Sequence, residues 1–450
     1  MLTKFEVENF LSFKEKQILD LTAKKVRVKN DRVYVQKKNR YLKFATIFGA
    51  NASGKSNLIT AIDFMKNRII KDDYKSTQKY FKNDIVYASK PSLFNIVVLI
   101  NQTKYVYGFK LLLNENKYTE EWLYEETPTG TRKKIFTRLI EKGIIDVSKK
   151  YIKNEETLVR LLVYGDDIKD DQSILFLQLM NKNKNNLYVD NENKVIVFNT
   201  LFNWFRFGLN INFPTNEVSE YSYFFSSEKT DNIIKFIKEF DTGITNFVIS
   251  DLENEQIGKK IPQEILSDIY AKLRELHIKN KDNSKNAITQ ILLRGGFHDF
   301  FVFEITDVDK ISCKTIKFNH ENTDELFELS EESDGTIRIL DLLEVLLDES
   351  VGSVYIIDEL DRFLHPLLTY KFVKLFLELA KERCIQLIVT THEQRLLNFD
   401  LLRRDEIWFT EKGKLGNTNL YDLYSLSPRA DKKLERAYLD GDFGAIPFNK

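Results

Sequence analysis

The sequence predicts an α/β protein, in which a mixed β-sheet with an N-terminal antiparallel β layer is interrupted by a mainly helical insertion. Three patterns lead to this prediction. The first 45 or so residues alternate apolar and polar in short runs, as half-buried strands do. Residues 353–357 and 386–390 are nearly continuous apolar runs, which is typical of buried parallel strands. Between these regions, from about residue 131 to 300, apolar residues recur at helical spacing.

Period-two runs separated by turn residues define the N-terminal elements. The predicted strands cover residues 2–7, 17–21, 32–35, 41–48, 94–100, 105–113 and 120–124. The last three form a β-meander with turns near Asn101 and Asn114, and a helix is predicted over residues 56–65.

The middle of the chain shows helical periodicity instead. Predicted helices cover residues 155–164, 171–180, 231–240 and 262–276, and the third ends near Gly243. The polar tracts at residues 181–186 and 279–285 predict solvent-exposed loops. Beyond residue 300, predicted strands at 301–305, 353–357 and 386–390 alternate with helices that begin near Gly335 and Pro366.

Composition argues against an overall basic nucleic-acid-binding protein, a disulfide-rich protein and a membrane protein. Lys+Arg and Asp+Glu both total 67, so no overall basic field attracts nucleic acid or an anionic membrane, although a local patch is compatible with this balance. Cys313 and Cys384 lack metal-ligand spacing and fit buried thiols in a reducing compartment. The sequence shows neither an apolar signal core nor a membrane-spanning apolar window, so we expect a cytoplasmic protein without membrane contact.

Residues 49–56 read GANASGKS, the pattern G-x-x-x-x-G-K-S, between a predicted strand and a predicted helix. This order suits a phosphate-binding loop, because the glycines let backbone N–H groups face a triphosphate and the helix N-terminus favours anions. Lys55 is expected to reach the β- and γ-phosphates, and the Ser56 hydroxyl to bind Mg²⁺. The predicted nucleotide-binding residues of this loop are Gly49, Asn51, Gly54, Lys55, Ser56 and Asn57.

Two acidic residues, Asp358 and Glu359, end the apolar run at residues 354–357. In a parallel sheet the carboxyl end of a strand faces the ligand crevice. We therefore expect Asp358 to hold Mg²⁺ through water, and Glu359 to polarise the attacking water.

A serine and a glycine stand at the start of the helix predicted near Gly335, in the run LSEESDGT at residues 329–336. A helix N-terminus of this kind offers the same anion-binding device as the phosphate loop. The run resembles the signature motif of ABC-type ATPases, in the Ser-Asp-Gly-Thr form of RecF/SMC-like and OLD-like proteins. In that family the motif contacts the γ-phosphate of ATP held by the opposite subunit. The resemblance implies an ABC-type P-loop ATPase domain, with Ser333 and Gly335 as ATP-binding residues.

The same resemblance extends along the chain. The run LDRFLHP at residues 360–366 resembles the D-loop of the OLD-like group. The resemblance implies that Asp361 lies at the subunit interface or supports the residues that contact the ligand, whereas we interpret His365 as structural. His392 follows the strand at 386–390 and resembles the switch histidine that senses γ-phosphate. Glu359, His392 and Lys55 are thus the predicted catalytic residues. The glutamine-bearing loop of the family is not placed, because Gln102 looks like part of a hairpin turn.

Both ends of the chain carry further matches. FEVENFLSFK at residues 5–14 resembles the opening strands of RecF- and SMC-like ATPases, and RAYLDGDFGAIP at residues 436–447 resembles the end of RloA/AbiL-type ATPases of phage-defence operons. We therefore predict one ATPase domain split into halves at residues 1–130 and 301–450, around an insertion at residues 131–300.

The resemblance implies an ATP-gated homodimer or higher homo-oligomer, in which ATP at Lys55 and Ser56 of one subunit is capped by Ser333 and Gly335 of another. Our first hypothesis is the regulatory ATPase of an abortive-infection type antiviral defence system, acting with a separate nuclease- or RloB-like effector. OLD-type nucleases carry a TOPRIM domain after the ATPase, whereas about 58 residues follow His392 here.

Two other hypotheses compete with this one. The alternative is a RecF/SMC-like DNA-maintenance clamp, which would bind DNA in an ATP-dependent and salt-sensitive manner. The zero net charge and the lack of long coiled-coil heptads favour the first hypothesis. The motor subunit of a membrane transporter fits less well, because the signature departs from Leu-Ser-Gly-Gly-Gln and the long insertion is foreign to that class.

Overall fold

The computed structural model describes residues 1–71, 75–188, 194–216, 218–225, 229–282, 289–295, 299–307, 310–427 and 433–446. They belong to two compact units. The first comprises Met1–Pro214, Glu349–Arg362 and Phe372–Lys450, and the second comprises Thr215–Asp348 and Phe363–Lys371. Pro447, the last residue of the tail that resembles RloA/AbiL-type ATPases, lies outside the described residues.

The strands of the described residues are β1 (Leu2–Glu8), β2 (Gln17–Asp20), β3 (Val33–Gln36), β4 (Asn39–Leu42), β5 (Phe44–Phe48), β6 (Ser92–Ile100), β7 (Thr103–Leu112), β8 (Lys117–Glu126), β9 (Arg132–Leu139), β10 (Ile144–Val147), β11 (Leu209–Asn212), β12 (Ile244–Asp251), β13 (Thr289–Arg294), β14 (Phe300–Asp307), β15 (Lys310–His320), β16 (Leu326–Glu328), β17 (Val354–Ile357), β18 (Gln386–Thr390), β19 (Ile407–Lys412) and β20 (Thr418–Asp422). The α-helices are α1 (Lys55–Ile70), α2 (Glu155–Asp166), α3 (Phe176–Asn181), α4 (Ile196–Asn203), α5 (Thr230–Glu239), α6 (Asn254–Lys260), α7 (Gln263–Asp282), α8 (Asp334–Leu347), α9 (Pro366–Leu379) and α10 (Leu434–Leu439).

An antiparallel sheet in the first unit has the strand order β10-β9-β8-β7-β6-β1-β2. Its β1 buries Leu2, Phe5 and Val7, while Lys4 and Glu6 between them are partly exposed, so the alternation of the sequence matches the two faces of the strand. The predicted antiparallel layer and β-meander are confirmed, and Gln102 lies in the turn between β6 and β7. Strands β9 and β10 extend this sheet into the segment predicted as mainly helical.

A mixed sheet in the same unit has the order β11-β17-β18-β5-β19-β20. Every pair is parallel except β19 and β20. All residues of β5, β17 and β18 are buried, which explains their unbroken apolar runs. The predicted α/β class with a mixed sheet and an antiparallel layer is therefore confirmed. Strands β19 and β20 were not predicted.

Helix α1 follows β5 and packs into the main apolar core of the first unit. It buries Leu58, Ile62, Met65 and Ile69, which recur at helical spacing, beside residues of β1 and β6. This packing fixes the start of α1, and hence the loop before it, against the carboxyl edge of the mixed sheet.

The second unit contains a five-stranded antiparallel sheet, in which β12-β15-β14-β13 are neighbours and β16 pairs with β15. Helix α7 buries Leu266, Ile269 and Leu273 in one cluster with Phe301 and Phe303 of β14. The strand predicted at 301–305 therefore forms, with antiparallel partners. The predicted loop at 279–285 is wrong for 279–282, which belong to α7, and its remainder lies outside the described residues. The boundaries at residues 130 and 300 stay a prediction.

Candidate nucleotide-binding site

Three segments that are distant in sequence meet at one edge of the mixed sheet. Strands β17, β18 and β5 are parallel neighbours, with Ile357 opposite Val389 and Thr390 opposite Ile47. The phosphate-loop sequence, the Asp358–Glu359 pair and the Thr391–His392 pair each follow one of these strands. Their carboxyl ends therefore share an edge, which is where ligands bind in sheets of this kind.

The loop before α1 is packed so tightly that two positions require glycine. Gly54 has φ +110, and a Cβ there would lie 2.1 Å from Thr418 Oγ1. A Cβ on Gly49 would lie 2.5 Å from both Ser53 Oγ and the Thr410 carbonyl oxygen. Because L-residues avoid such conformations and contacts, the loop keeps its shape only with these glycines.

Side chains from other elements hold this loop in place. Ser53 Oγ lies 2.7 Å from Thr410 Oγ1, and Thr418 Oγ1 donates to the Ser53 carbonyl oxygen at 2.7 Å. Asn57 Nδ2 donates to Ser12 Oγ at 2.7 Å. The loop is thus anchored to β19, to β20 and to the segment after β1.

Lys55, the first residue of α1, is buried with only 6% of its surface exposed. Its Nζ donates to the carbonyl oxygens of Gly49 at 2.8 Å and Ala50 at 3.2 Å. Burial lowers the pKa of Lys55 to about 8, while the charges of Asp358, Asp361 and Glu359 act in the opposite direction. The loop therefore encloses a cation that a bound phosphate would stabilise.

The remaining predicted loop residues differ in their environment. Ser56 and Asn51 are exposed, and Asn57 is half-buried against Ser12. The first turn of α1 carries no acidic residue, so no side chain of that turn offsets the positive end of the helix dipole beside the loop.

Thr390, the last residue of β18, links the two acidic residues that follow β17. Its Oγ1 donates to Asp358 Oδ1 at 2.5 Å and accepts from the Glu359 backbone N–H at 2.8 Å. Asp358 is 1% exposed. Glu359 has φ +51, a left-handed conformation that costs roughly 1–3 kcal/mol for a residue other than glycine and that clusters at functional sites.

Asp361 holds the residues that follow β18. Its Oδ1 accepts from Thr391 Oγ1 at 2.7 Å and from the His392 backbone N–H at 3.2 Å. Desolvation lowers the pKa of the His392 imidazole, and the charge of Lys55 adds to this effect. His392 is therefore neutral at neutral pH. Asp361 was expected either at a subunit interface or as a support for residues that contact the ligand, and within the chain it positions the backbone of His392.

A cavity of about 480 Å³ adjoins the loop at Ala52 and Asn57. Its walls come from Leu11 and Ser12 after β1, from residues 77–83 and from Lys412 of β19. The cavity has room for a chemical group attached to a phosphate at the loop.

The signature residues lie in the second unit. Ser333 caps α8, because its Oγ accepts from the Thr336 backbone N–H at 3.1 Å. Gly335 lies in the first turn of α8, and a Cβ there would be 3.2 Å from the Phe363 carbonyl oxygen. His365 accepts through Nδ1 from the Leu367 backbone N–H at 3.3 Å at the start of α9.

Sequence reasoning missed the hydroxyl residues that tie the site together: Ser12, Thr390, Thr391, Thr410 and Thr418. A threonine at the end of an apolar parallel strand is a usable signal for Thr390 and Thr410, since such a position faces the ligand edge. For Thr418, the sequence holds no such signal, because β20 pairs with its neighbour in antiparallel orientation.

Residues 44–398 match a protein family described as "AAA domain, putative AbiEii toxin, Type IV TA system". The chain belongs to this family. The match to the AAA-domain family begins at β5 and includes the phosphate loop, Asp358, Glu359 and His392. The chain is thus an AAA-domain protein by family.

Three SMC head domains are among the solved structures that are similar to this chain. The SmcHead bound to the C-winged helix domain of ScpA is 15% identical, with 94% of this chain and 97% of that chain covered and a TM-score of 0.40. The SMC head domain from Thermotoga maritima is 12% identical, with 94% of this chain and 98% of that chain covered and a TM-score of 0.38. The Smc head domain with an extended coiled coil bound to the C-terminal domain of ScpA derived from Pyrococcus furiosus is 15% identical, with 95% of this chain and 97% of that chain covered and a TM-score of 0.39. These values are too low to transfer a property to this chain. No curated protein matches it.

None of the helices that the structure describes combines the length and the apolar character needed to cross a membrane. The described residues also contain no group of three or more His, Cys, Asp or Glu side chains placed to share a metal ion.

Proposed function

We propose that this chain binds ATP with Mg²⁺ at residues 49–57 and hydrolyses it. The observation that carries the proposal is the buried Lys55, which interacts electrostatically with Asp358, Glu359 and His392 at one edge of the mixed sheet. A desolvated cation beside a glycine-bounded loop and a helix N-terminus suits a triphosphate.

The nucleotide is held by two parts of the site. Backbone N–H groups of the loop, the start of α1 and Lys55 bind the phosphates. The neighbouring cavity of about 480 Å³ receives the nucleoside, because its wall includes Ala52 of the loop. Side-chain and backbone polar groups around Ser12 and Asn83 line that cavity and would contact the sugar and base.

Ser56 and Asp358 are the residues that would hold Mg²⁺. The Ser56 hydroxyl is exposed at the loop, and Asp358 is a buried carboxylate whose Oδ1 is engaged by Thr390. This donor set fits Mg²⁺, which usually keeps several waters and takes one or two protein ligands plus phosphate oxygens. When bound, Mg²⁺ would neutralise charge on the phosphate oxygens.

Hydrolysis follows from how the chain places its own groups. Glu359 accepts a proton from the attacking water, and its position is set by the bond from its backbone N–H to Thr390. Lys55 stabilises charge that develops on the phosphoryl oxygens. His392, whose backbone N–H donates to Asp361, donates a hydrogen bond from its neutral imidazole to the γ-phosphate.

We further propose that two copies of the chain close on ATP. Ser333 and Gly335 stand at the exposed start of α8, where the helix dipole favours an anion, and would cap the γ-phosphate of a second copy. Because ATP binds the closed dimer better than the separate chains, it shifts the population toward the dimer. Hydrolysis reverses this shift.

The biological role we propose is the regulatory ATPase of an anti-phage defence system with a separate effector. The family description supports a role in toxin–antitoxin or defence biology, since it names a putative AbiEii toxin of a Type IV system. The alternative is an ATP-gated DNA clamp. It requires that DNA binding depend on Lys55, whereas the defence proposal requires ATP-dependent control of an effector.

The proposal is tested by titrating ATP with Mg²⁺ into the wild-type protein, Lys55→Ala and the matched exposed-lysine variant Lys38→Ala. We expect Lys55→Ala alone to lose binding by at least about a hundredfold, which is near 2.7 kcal/mol. The same variants are then placed in the native operon and challenged with phage. Unchanged phage resistance in Lys55→Ala would overturn the ATP-driven defence role, and unchanged ATP binding would overturn the site itself.

A further inference from the structure

A second cavity of the first unit lies beside β9 and β10. Its volume is about 780 Å³, and its described lining contains one carboxylate, Asp146. The lysines that line it are Lys133, Lys134, Lys149, Lys150 and Lys194. Since the whole chain has no net charge, this lysine cavity is a local concentration of positive charge.

Only part of that charge is neutralised within the chain. Lys134 forms an ion pair with Asp146, and Lys133 lies 3.4 Å from a carboxylate oxygen of Glu125. For Lys149 and Lys150, neither an ion pair nor a hydrogen bond of the side chain occurs among the residues that the structure describes. Their charges thus remain available to a ligand.

The lysine pair is held in a fixed place. The Ser148 backbone N–H donates to the Ile135 carbonyl oxygen at 2.9 Å, and the Ser148 carbonyl oxygen accepts from the N–H groups of Tyr151 and Ile152 at 3.1 Å. Tyr151 and Ile152 are buried in the core of the unit. The turn that carries Lys149 and Lys150 is therefore already ordered. A ligand that binds there costs less backbone entropy than a ligand that has to order a mobile tail.

The chemistry of the wall indicates which anion fits. The ammonium group of lysine is a point charge that contacts phosphates. It lacks the planar guanidinium group with which arginine makes paired hydrogen bonds to base edges. The Tyr151 ring is 6% exposed and carries the Lys194 ammonium 4.7 Å from its centre, so it cannot stack on a base. Several lysines from separate segments suit a run of phosphates.

We propose that the lysine cavity binds the phosphate backbone of a nucleic-acid strand, without preference for base sequence. This site is separate from the phosphate loop and does not depend on ATP hydrolysis. Because binding releases counterions from the strand, the affinity must fall steeply with salt.

The test mixes the whole chain with a labelled strand of about 20 nucleotides, either single-stranded or as a duplex. Fluorescence anisotropy measures the affinity at salt concentrations from about 50 to 200 mM. The charge-reversal variant Lys149→Glu/Lys150→Glu should lose at least about tenfold in affinity at the lowest salt and show a salt slope smaller by about 1 to 2. Lys149→Arg/Lys150→Arg should retain binding. The matched control Lys37→Glu/Lys38→Glu, an adjacent exposed pair in the β3–β4 turn, should behave as wild type.

Hydrolysis of ATP is measured on the same variants and should not change, so the two proposals fail independently. If charge reversal impairs folding, Lys149→Ala/Lys150→Ala replaces it in the test. Its affinity for the strand should fall by a smaller factor than that of the charge-reversal variant. An equal loss in the control pair would overturn the site. Tight displacement of the strand by tripolyphosphate would reassign it to a compact oligophosphate, and equal affinity for polyglutamate would reassign it to an acidic protein segment.

Discussion

Thr390 Oγ1 donates a 2.5 Å hydrogen bond to Asp358 Oδ1 across two neighbouring parallel strands. The same oxygen accepts the backbone N–H of Glu359, so one hydroxyl orients both acidic residues. Asp358 and Glu359 are the predicted magnesium ligand and general base. Thr390 is therefore a positioning residue for both predicted roles.

Thr390→Val should reduce the turnover of ATP by at least about tenfold, because it leaves the buried Asp358 carboxylate and the Glu359 N–H without their partner. The KM for ATP should change little, since Thr390 lies outside the phosphate loop. Thr390→Ser keeps the hydroxyl and should retain most activity. Steady-state kinetics with a melting curve for each variant separate this effect from unfolding, and equal turnover in the Val and Ser variants would refute the assignment.

Gly54→Ala should abolish ATP binding. A methyl group at Gly54 would lie 2.1 Å from Thr418 Oγ1, and the backbone there has φ +110. Gly258→Ala is the matched control, because a Cβ on this α6 residue meets no atom within 4 Å and should stabilise the helix by about 0.5–1 kcal/mol. Titration calorimetry and thermal unfolding of both variants check the prediction. Normal ATP affinity in Gly54→Ala would contradict the tight packing of the loop.

The affinity for ATP should fall as the pH rises above 8. Burial lowers the pKa of Lys55 to about 8 in the free protein, and a bound phosphate raises it again. Below pH 8 the lysine is already charged, whereas above pH 8 it must take up a proton on binding. The Kd should therefore rise by up to about tenfold per pH unit above 8. Lys55→Arg stays charged and should show a flat profile, and a flat wild-type profile would count against the desolvated lysine.

Ser333→Asp should block ATP-driven dimerisation while leaving ATP binding intact. Aspartate preserves the N-cap of α8, in which Ser333 Oγ accepts from Thr336, but its charge repels the γ-phosphate of a second copy. Ser333→Asn caps the helix without charge and is the matched control. Light scattering with and without ATP measures the dimer. If the Asp and Asn variants dimerise equally, Ser333 does not face ATP.

The sequence was sufficient for the class of fold and for the elements that flank the predicted site motifs. GANASGKS lies between β5 and α1, and the Asp358–Glu359 pair follows β17, because loop glycines and buried parallel strands leave local patterns. The antiparallel layer was equally readable from the alternation in β1. Each of these elements is determined by residues that are close together in the sequence. The periodicity of apolar residues reports such local relationships.

What the sequence could not show depends on pairing between distant strands. Thr390 reaches Asp358 only because β17 and β18 are neighbours, although 32 positions separate the two residues. The position of Asp361 beside His392 arises in the same way. The extension of α7 to Asp282 was missed because its last turn is polar, so it has no apolar stripe to mark it.

The central claim, that ATP is hydrolysed with Glu359 as base, is tested most directly by Glu359→Gln. Glutamine keeps the size and backbone of the residue but cannot take a proton from water. We expect turnover to fall by about 10²–10⁴-fold, with ATP binding retained and the ATP-bound dimer accumulating. The nearby carboxylate variant Glu393→Gln should hydrolyse ATP normally. Phosphate release at the wild-type rate by Glu359→Gln would contradict the account.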